Sequence, residues 1–542
     1  MTLRLALWAS LWASALGAQV PARGPLARAE LHFQQARYWA DQIRMADALG
    51  RDRLPHGPPR AAAADSLPTA VSRVRDELAR VDTAALNPED RRAWTAMGRV
   101  IREITVAEGG TTTPVKCEPG GPSATALQPL TSATMACYGA AQARIVVGND
   151  TLDRLTILGR LAREADPEQR RSLFRALTPV WRSVNGGDEP DSPYRRLLRL
   201  RREAWEGGAS PLEQTGQAFG LTTAELRRWL EDALEAWRRA TPGPVMEPWD
   251  WYYRNGAAAR HLSPRVPTVE DLVRVDRDYY RQLGADPERL GIRHDLAPRG
   301  GKYPVAFTDL SARTRWDSAG RRLPAEPWVV ATYRTGGLDN LAELLHETGH
   351  AIHLAAIETR PAFLGWPDDD TFTEALAELP ALELYEPTWQ QRFLGDSAPA
   401  GDGLRARYAG VVLDLAWALF ELRVHETPDA DPNLIWTVIT SRYLRIAPWP
   451  EWSWWAMRGQ LVDAPGYLIN YALGAFITAD LRARVRELRG ASAWSDPDTY
   501  AWLSERLYRF GQEWTSRRVL EEFLGRPLSP DALLHDLGRL AR

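Results

Sequence analysis

The sequence predicts a mainly α-helical, bilobed protein with a deep cleft and one small β-sheet. Its 542 residues exceed the length at which a single hydrophobic core usually stops growing. Apolar residues recur at helical spacing along most of the chain, for example over residues 222–240, where Thr222 and Glu225 form a predicted capping box. Only residues 303–307 and 328–333 have the composition of strands. Helices are therefore expected to form most of the fold.

The overall charge gives no reason to expect nucleic acid or an anionic membrane as a partner, because the formal net charge is -3 and the pI is near 6.4. Hydrophobic residues make up 44% of the chain and charged residues 25%, which is ordinary for a globular protein. The 23 tryptophans are unusually many, and we expect most of them in contacts between helices.

Residues 1–18 are typical of a cleaved signal peptide. Arg4 precedes an apolar run over residues 5–15, and the small residues Gly17 and Ala18 follow. The alternatives are a core helix or a membrane anchor, but the run is shorter than the roughly 20 apolar residues that span a bilayer. We expect a secreted or periplasmic protein with no membrane span after signal removal, composed of an N-terminal helical region, 19–245, and a second region, 246–542, which contains the segment His346–His350.

The sequence contains two cysteines, Cys117 and Cys137, which bracket a segment rich in Gly, Pro, Ser and Thr. In an oxidising compartment we predict that they form a disulfide, which would close a loop of about 20 residues and contribute roughly 3 kcal/mol. The alternative is a pair of buried free thiols. A zinc site on these two residues is not expected, because no histidine lies nearby to complete four ligands.

A histidine motif indicates a metal site. His346 and His350 are four residues apart in the segment His346-Glu347-Thr348-Gly349-His350, which has a strong helical pattern and follows the predicted strand 328–333. This spacing places both imidazoles on one helix face, where they can bind one zinc ion. Glu347 is expected to act as general base on water activated by the metal. Asp339 or Asn340 is predicted to cap this helix.

A third protein ligand is needed, since catalytic zinc is usually held by three side chains. Glu374 lies 28 residues after His346 in a second predicted helix, and Glu378 lies one turn further along the same face. We assign the ligand role to Glu374, because it lies nearer the start of its helix, and a supporting role to Glu378. Without the histidine motif, two solvated carboxylates would be the simpler interpretation.

These motifs resemble the thimet oligopeptidase family of zinc metallopeptidases, and more distantly angiotensin-converting enzyme and the carboxypeptidase Taq family. The resemblance rests on His346 to His353, on Phe372-Thr373-Glu374-Ala375, and on the closing segments 523–527 and 529–534, and covers roughly residues 249–538. It implies a large bilobed helical zinc-peptidase fold with one Zn²⁺ per chain. The substrates would be short peptides, hydrolysed by metal-activated water.

The resemblance also implies roles for Tyr467 and Tyr471, which match positions that donate hydrogen bonds to the oxyanion and the substrate. Aromatic packing is the alternative. The family usually has a histidine shortly before the first tyrosine, and residues 457–463 contain none. His353, Arg458 or Gln460 could replace it, and His353 is counted among the predicted catalytic residues.

The strand 328–333 is expected to bind an extended peptide by strand addition, as the edge strand does in such enzymes, through Ala331 and Tyr333. An oligopeptidase is the preferred function. The alternatives are an exopeptidase that acts at C-termini, a catalytically silent peptide-binding homologue, and a structural zinc site, for which His353 is the nearest extra ligand.

Overall fold

A computed structural model of the protein describes residues 24–109, 115–118, 121–303, 305–317, 320–367 and 369–541. The fold is mainly α, as predicted. The predicted signal peptide, 1–18, lies outside the described residues. The α-helices are α1 Pro25–Ala48, α2 Arg60–Ala79, α3 Pro88–Gly109, α4 Leu127–Ala143, α5 Arg154–Leu161, α6 Pro167–Ala176, α7 Thr178–Asn185, α8 Pro193–Trp205, α9 Pro211–Ala218, α10 Thr223–Ala240, α11 Trp251–Asn255, α12 Ala257–Leu262, α13 Val269–Gln282, α14 Leu338–Ala356, α15 Asp370–Ala381, α16 Pro387–Leu394, α17 Ala400–Glu426, α18 Pro432–Leu444, α19 Gln460–Asp463, α20 Tyr467–Arg489, α21 Thr499–Leu503, α22 Ser516–Leu524 and α23 Asp531–Gly538.

The described residues also form seven short strands. They are β1 Ile145–Val147, β2 Asp150–Leu152, β3 Arg293–Asp295, β4 Phe307–Ala312, β5 Arg315–Trp316, β6 Arg322–Leu323 and β7 Glu326–Val330. β1 pairs with β2 and β5 with β6, while β3, β7 and β4 form a three-stranded sheet in that order. In this sheet β3 is parallel and β4 antiparallel to β7.

The strands of the three-stranded sheet differ from both strand predictions. The strand predicted over 303–307 begins only at Phe307 and continues to Ala312. The Lys302 Nζ lies within hydrogen-bond distance of the Asp295 carboxylate and of three backbone carbonyl oxygens. The strand predicted over 328–333 is β7, the middle strand rather than an edge.

Local sequence directly determines where α10 begins. Thr222 accepts a hydrogen bond from the Glu225 N–H, and the Glu225 carboxylate accepts one from the Thr222 N–H, so α10 begins with the predicted capping box. Its apolar face, from Leu226 to Trp237, is buried. Burial of this face stabilises the helix, since propensity alone contributes little over 18 residues.

One large hydrophobic core runs through most of the protein and contains residues from Leu130 to Leu537. It includes residues on both sides of the predicted 245/246 boundary, so that boundary does not divide the core. Helices α1 to α3 enclose a smaller core of their own, to which Phe363 contributes. In the described part of the chain, no helix is both long and apolar enough to cross a membrane. Cys117 and Cys137 are joined by a disulfide.

Helices α14, α15 and α20 pack side by side and carry the predicted site residues. A Cβ atom placed on Gly349 of α14 would lie 2.4 Å from the Ala377 carbonyl oxygen of α15, a distance that real Cβ atoms essentially never show. Only glycine therefore permits this approach of the two backbones. Side chains of α20 bind α15 along its length: Thr371 donates to Asn470, and Thr478 donates to the Ala375 carbonyl.

We predict that Gly349→Ala lowers the free energy of unfolding by about 1–3 kcal/mol, because the added methyl group forces α14 and α15 apart. Denaturant unfolding measures this change. The matched control is Gly410→Ala in the middle of α17, where an added Cβ meets nothing within 4 Å. There the same substitution should raise stability by up to about 1 kcal/mol, since alanine is the better helix former. Equal effects of the two substitutions would contradict the contact.

Candidate metal centre

The helix that bears the histidines, α14, begins at Leu338, one to two residues before the predicted caps. Its N-cap is Gly337, and the Leu338 N–H donates to the Ser263 hydroxyl at 3.0 Å. Neither Asp339 nor Asn340 is the cap, which is a correction to the sequence prediction. Asn340 instead donates to the Thr335 carbonyl oxygen. Asp339 lies in the first turn and is exposed.

Three of the predicted ligands converge at one point. The His346 Nε2 lies 3.3 Å from Oε2 of Glu374, and the His350 Nε2 lies 3.7 Å from Oε1 of the same carboxylate. One nitrogen or oxygen from each residue lies within 4.8 Å of the others. Zinc bonds of about 2.0–2.1 Å in a tetrahedron place ligand atoms ~3.4 Å apart. Small side-chain adjustments would bring the three residues to that geometry.

Glu378 contacts His346 at Nδ1, the ring nitrogen that does not face Glu374. Its Oε1 lies 2.9 Å from Nδ1 of His346, so a hydrogen bond there orients the ring with Nε2 directed toward Glu374, and Nε2 of the neutral ring would be the atom that binds a metal. The rings of Trp366 and His350 pack at right angles, with their centroids 5.4 Å apart. Sequence reasoning identified Glu378 but missed Trp366, which no motif distinguishes from the other tryptophans.

The protonation preferences of the two imidazoles differ. Burial, assisted by the neighbouring His346, lowers the pKa of His350 to about 3, so this ring is neutral, the form that binds metals. At His346 burial would lower the pKa, but the Glu374 and Glu378 carboxylates raise it well above its ordinary value. The two carboxylates thus favour a positive charge between them, either a proton on the His346 ring or a divalent cation bound to it. The donor set of two histidines and one glutamate fits zinc.

Glu347 lies on the same helix, only 7% exposed, with its carboxylate beside the sheet. The Thr308 hydroxyl lies 2.8 Å from the Glu347 Oε2 and 2.8 Å from the Glu347 carbonyl oxygen. Burial raises the pKa of Glu347 to about 7, against the opposing effects of His346 and Thr308. A carboxyl group with such a pKa can both accept and donate a proton near neutral pH. Thr308 was missed because the predicted strand ended at Phe307, one residue too early.

Tyr467 and Tyr471 lie in the first turns of α20, with ring centroids 5.2 Å apart. Burial raises the pKa of each phenol, and the charge of Glu374 raises it further, so the phenols stay protonated and can donate hydrogen bonds. Both side chains are partly accessible. The structure therefore brings the two predicted tyrosines to the same region as the three convergent ligands.

The three residues that could replace the histidine expected before Tyr467 lie in different surroundings. His353 is 1% exposed and packs between Trp366 and Tyr508, so its ring is buried among aromatic side chains, and a catalytic role for it stays a prediction. Arg458 forms an ion pair with Asp414, and its guanidinium lies 5.8 Å from the centre of the Tyr471 ring. Gln460 begins α19 and is partly buried.

The backbone N–H groups of Ala331 and Tyr333 already have partners. The Ala331 N–H donates to the Asp295 carbonyl and the Tyr333 N–H to the Leu296 carbonyl, both within the chain. The Ala331 carbonyl oxygen accepts from Lys302. These two N–H groups are therefore not free for strand addition, and a substrate-binding role for the two residues stays a prediction. β4 is the edge strand of the three-stranded sheet beside Glu347.

Neither a protein-family profile nor a curated protein sequence matches the chain. Solved structures do match it. Metallocarboxypeptidase 1 of Trypanosoma cruzi superposes with a TM-score of 0.52 at 14% identity, over 96% of this chain and 99% of that one. An M32 carboxypeptidase from Deinococcus radiodurans R1 superposes with a TM-score of 0.52 at 15% identity, over 95% of this chain and 98% of that one. The chain has a metallocarboxypeptidase fold.

The structural similarity extends beyond the part of the chain that resembles zinc peptidases in sequence. That sequence resemblance covers roughly residues 249–538, whereas the superpositions include almost the whole chain. The N-terminal helices therefore belong to the same fold as the metal centre. Membership of the thimet oligopeptidase family stays a prediction, since the matched solved structures named above are metallocarboxypeptidases.

We predict that Glu378→Gln lowers the affinity for zinc by about 10–100-fold, because an amide holds the His346 ring less firmly than a carboxylate does. Zinc titration against a competing chelator measures the affinity. Glu358→Gln is the matched control, since this exposed carboxylate follows the end of α14 and contacts none of the three ligands. Unchanged affinity in Glu378→Gln would contradict the proposed contact with His346.

Proposed function

We propose that this protein is a zinc metallopeptidase that hydrolyses short peptides. The observation that carries the proposal is the convergence of His346, His350 and Glu374 beside the buried carboxyl group of Glu347. The similarity to metallocarboxypeptidase structures over the whole chain supports the same class of enzyme. A structural zinc site is disfavoured, because His353, the nearest extra nitrogen ligand in sequence, is packed between two aromatic rings.

Each residue of the site has a distinct task in this proposal. Zinc held by the three ligands would polarise the scissile carbonyl and lower the pKa of water. Glu347, oriented by Thr308, takes the proton from the attacking water and transfers it to the leaving amine. Tyr467 and Tyr471 donate hydrogen bonds to the oxygen that gains negative charge.

We predict that Glu347→Gln retains zinc but lowers peptide cleavage by about 10²–10⁴-fold, because glutamine cannot transfer a proton. A mixed peptide library is incubated with each protein, with and without chelator, and the cut sites are identified by mass spectrometry. Metal analysis confirms the zinc content, and Glu358→Gln serves as the control. Cleavage near the wild-type rate in Glu347→Gln would exclude it as the base. Wild-type protein without any chelator-sensitive cleavage would favour a silent peptide-binding homologue.

A second candidate mode is removal of residues from C-termini. The similarity to two carboxypeptidase structures favours it over the oligopeptidase mode. An exopeptidase needs a cation that can bind the terminal carboxylate, and Arg458 supplies positive charge beside Tyr471. Because Arg458 also forms an ion pair with Asp414, it would have to bind both that side chain and the terminal carboxylate of the substrate.

Peptides with free and amidated C-termini distinguish the two modes. A carboxypeptidase is expected to cleave the free acid at least about tenfold faster, because amidation removes the charge that a cation would bind. The rates of both peptides and the masses of their products are measured in parallel. Equal cleavage at internal bonds would instead support the oligopeptidase mode.

We also propose that the protein is exported. The N-terminal sequence supports this, and so does the disulfide between Cys117 and Cys137, because disulfides persist in oxidising compartments. The substrates would then be peptides of the periplasm or of the surrounding medium.

A further inference from the structure

The helix that carries Tyr467 and Tyr471, α20, has no side-chain cap of its own. Its N-cap residue is Gly466, which has no side chain to accept a hydrogen bond from the first N–H groups of the helix. Gly466 has a φ of 90°, and a Cβ atom there would lie 3.2 Å from the Pro211 carbonyl group, so the position favours glycine. A side chain that caps this helix must therefore come from another part of the chain.

Glu421, in the middle of the fold on α17, supplies that cap. Its Oε1 accepts a hydrogen bond from the Gly466 N–H at 2.8 Å, and the Leu468 N–H also interacts with this carboxylate. The side chain is 0% exposed, and a buried carboxylate is costly unless it is hydrogen-bonded. Burial raises the pKa of Glu421 to about 7, and the Gly466 N–H is the group that opposes this shift most. The contact with α20 is thus the main compensation for burying this charge.

Arg201 of α8 holds the residues just before the same helix. Its two terminal nitrogens donate to the carbonyl oxygens of Leu461, at 2.8 Å, and of Val462. The guanidinium is buried, with only 2% of the residue exposed. Residues 461–466 lead directly into α20, so a buried cation binds carbonyl groups at one end of this segment and Glu421 binds an N–H group at the other.

We propose that Glu421 and Arg201 are positioning residues for Tyr467 and Tyr471. This role rests on the proposed peptidase function and acts through the backbone of residues 461–468. Tyr467 directly follows the capped Gly466, and Tyr471 lies one turn further along α20. A displaced first turn would therefore displace both phenols. Because their hydrogen bonds strengthen as charge develops on the oxyanion, displacement should slow the chemical step more than it weakens substrate binding.

The test is a mutant cycle measured on kcat and KM. Glu421→Gln keeps the size of the side chain but removes its charge, and we expect kcat to fall about tenfold while KM changes less than about twofold. In a protein that already carries Tyr467→Phe and Tyr471→Phe, the same substitution should lower kcat less than about twofold, since no phenol remains to be positioned. An equal loss of kcat in both backgrounds would overturn the proposal, because a general loss of structure acts on both alike.

Arg201→Lys is the second variant, and it decides the question if Glu421→Gln does not fold. Lysine keeps the charge but cannot donate to two carbonyl groups through one planar fork, so the same dependence on the two tyrosines is expected. The matched control is Asp431→Asn, because Asp431 caps α18 by accepting from the N–H groups of Asn433 and Leu434. The control should leave kcat unchanged. A loss of kcat there as large as in Glu421→Gln would overturn the specific role of Glu421.

A peptide inhibitor separates failure of this role from failure of the peptidase function. If the wild type cleaves no peptide, the peptidase function fails, and the same cycle is measured on the affinity of the zinc-loaded protein for a phosphinic peptide. The tetrahedral group of this inhibitor accepts hydrogen bonds where the oxyanion would. We expect about tenfold weaker binding in Glu421→Gln, and less than about twofold when both tyrosines are phenylalanine. Unchanged affinity in Glu421→Gln would overturn the positioning role.

Discussion

The metal centre depends on the close approach of two helix backbones. Two ligands belong to α14 and one to α15, so a shared ion requires these two helices to pack against each other. Gly349, between the two histidines, makes this approach possible, because any Cβ atom there would collide with the Ala377 carbonyl group. The ligand spacing within α14 is fixed by helix geometry. The distance to the third ligand is fixed by this glycine.

Hydrogen bonds to neighbouring elements hold the other residues of the site in place. Hydrogen bonds from α20 to α15, at Thr371 and Thr478, hold the helix that carries Tyr467 and Tyr471. On the opposite side, Thr308 of β4 binds the carboxylate of Glu347. The proposed base and two metal ligands thus lie on α14, the third ligand on α15 and the proposed hydrogen-bond donors on α20, and polar contacts join these helices to their neighbours. The protein can orient these groups before a substrate arrives, which is the main physical requirement for electrostatic catalysis.

Sequence reasoning succeeded where the determining interactions are local. The capping box at Thr222 and Glu225 gave the start of α10, and the spacing of His346 and His350 placed both on one helix face. It failed where the partner is distant in the chain. Nothing near residues 328–333 indicates that β3 covers one edge of β7, and this pairing occupies the N–H groups of Ala331 and Tyr333. Likewise, the contact between Thr308 and Glu347 joins residues 39 positions apart.

At Lys302 the shape of the cationic group matters as much as its positive charge. Lys116 and Lys302 are the only lysines in a sequence whose other basic side chains are, apart from histidine, arginines. At Lys302 four oxygens surround a single nitrogen, and three of them are backbone carbonyls that join the β3–β7 pair to the turn before β4. A compact ammonium group fits such a cage, whereas a planar guanidinium spreads its donors over three nitrogens. Arginine at this position would keep the charge but would not fit the cage that anchors the turn leading to Thr308.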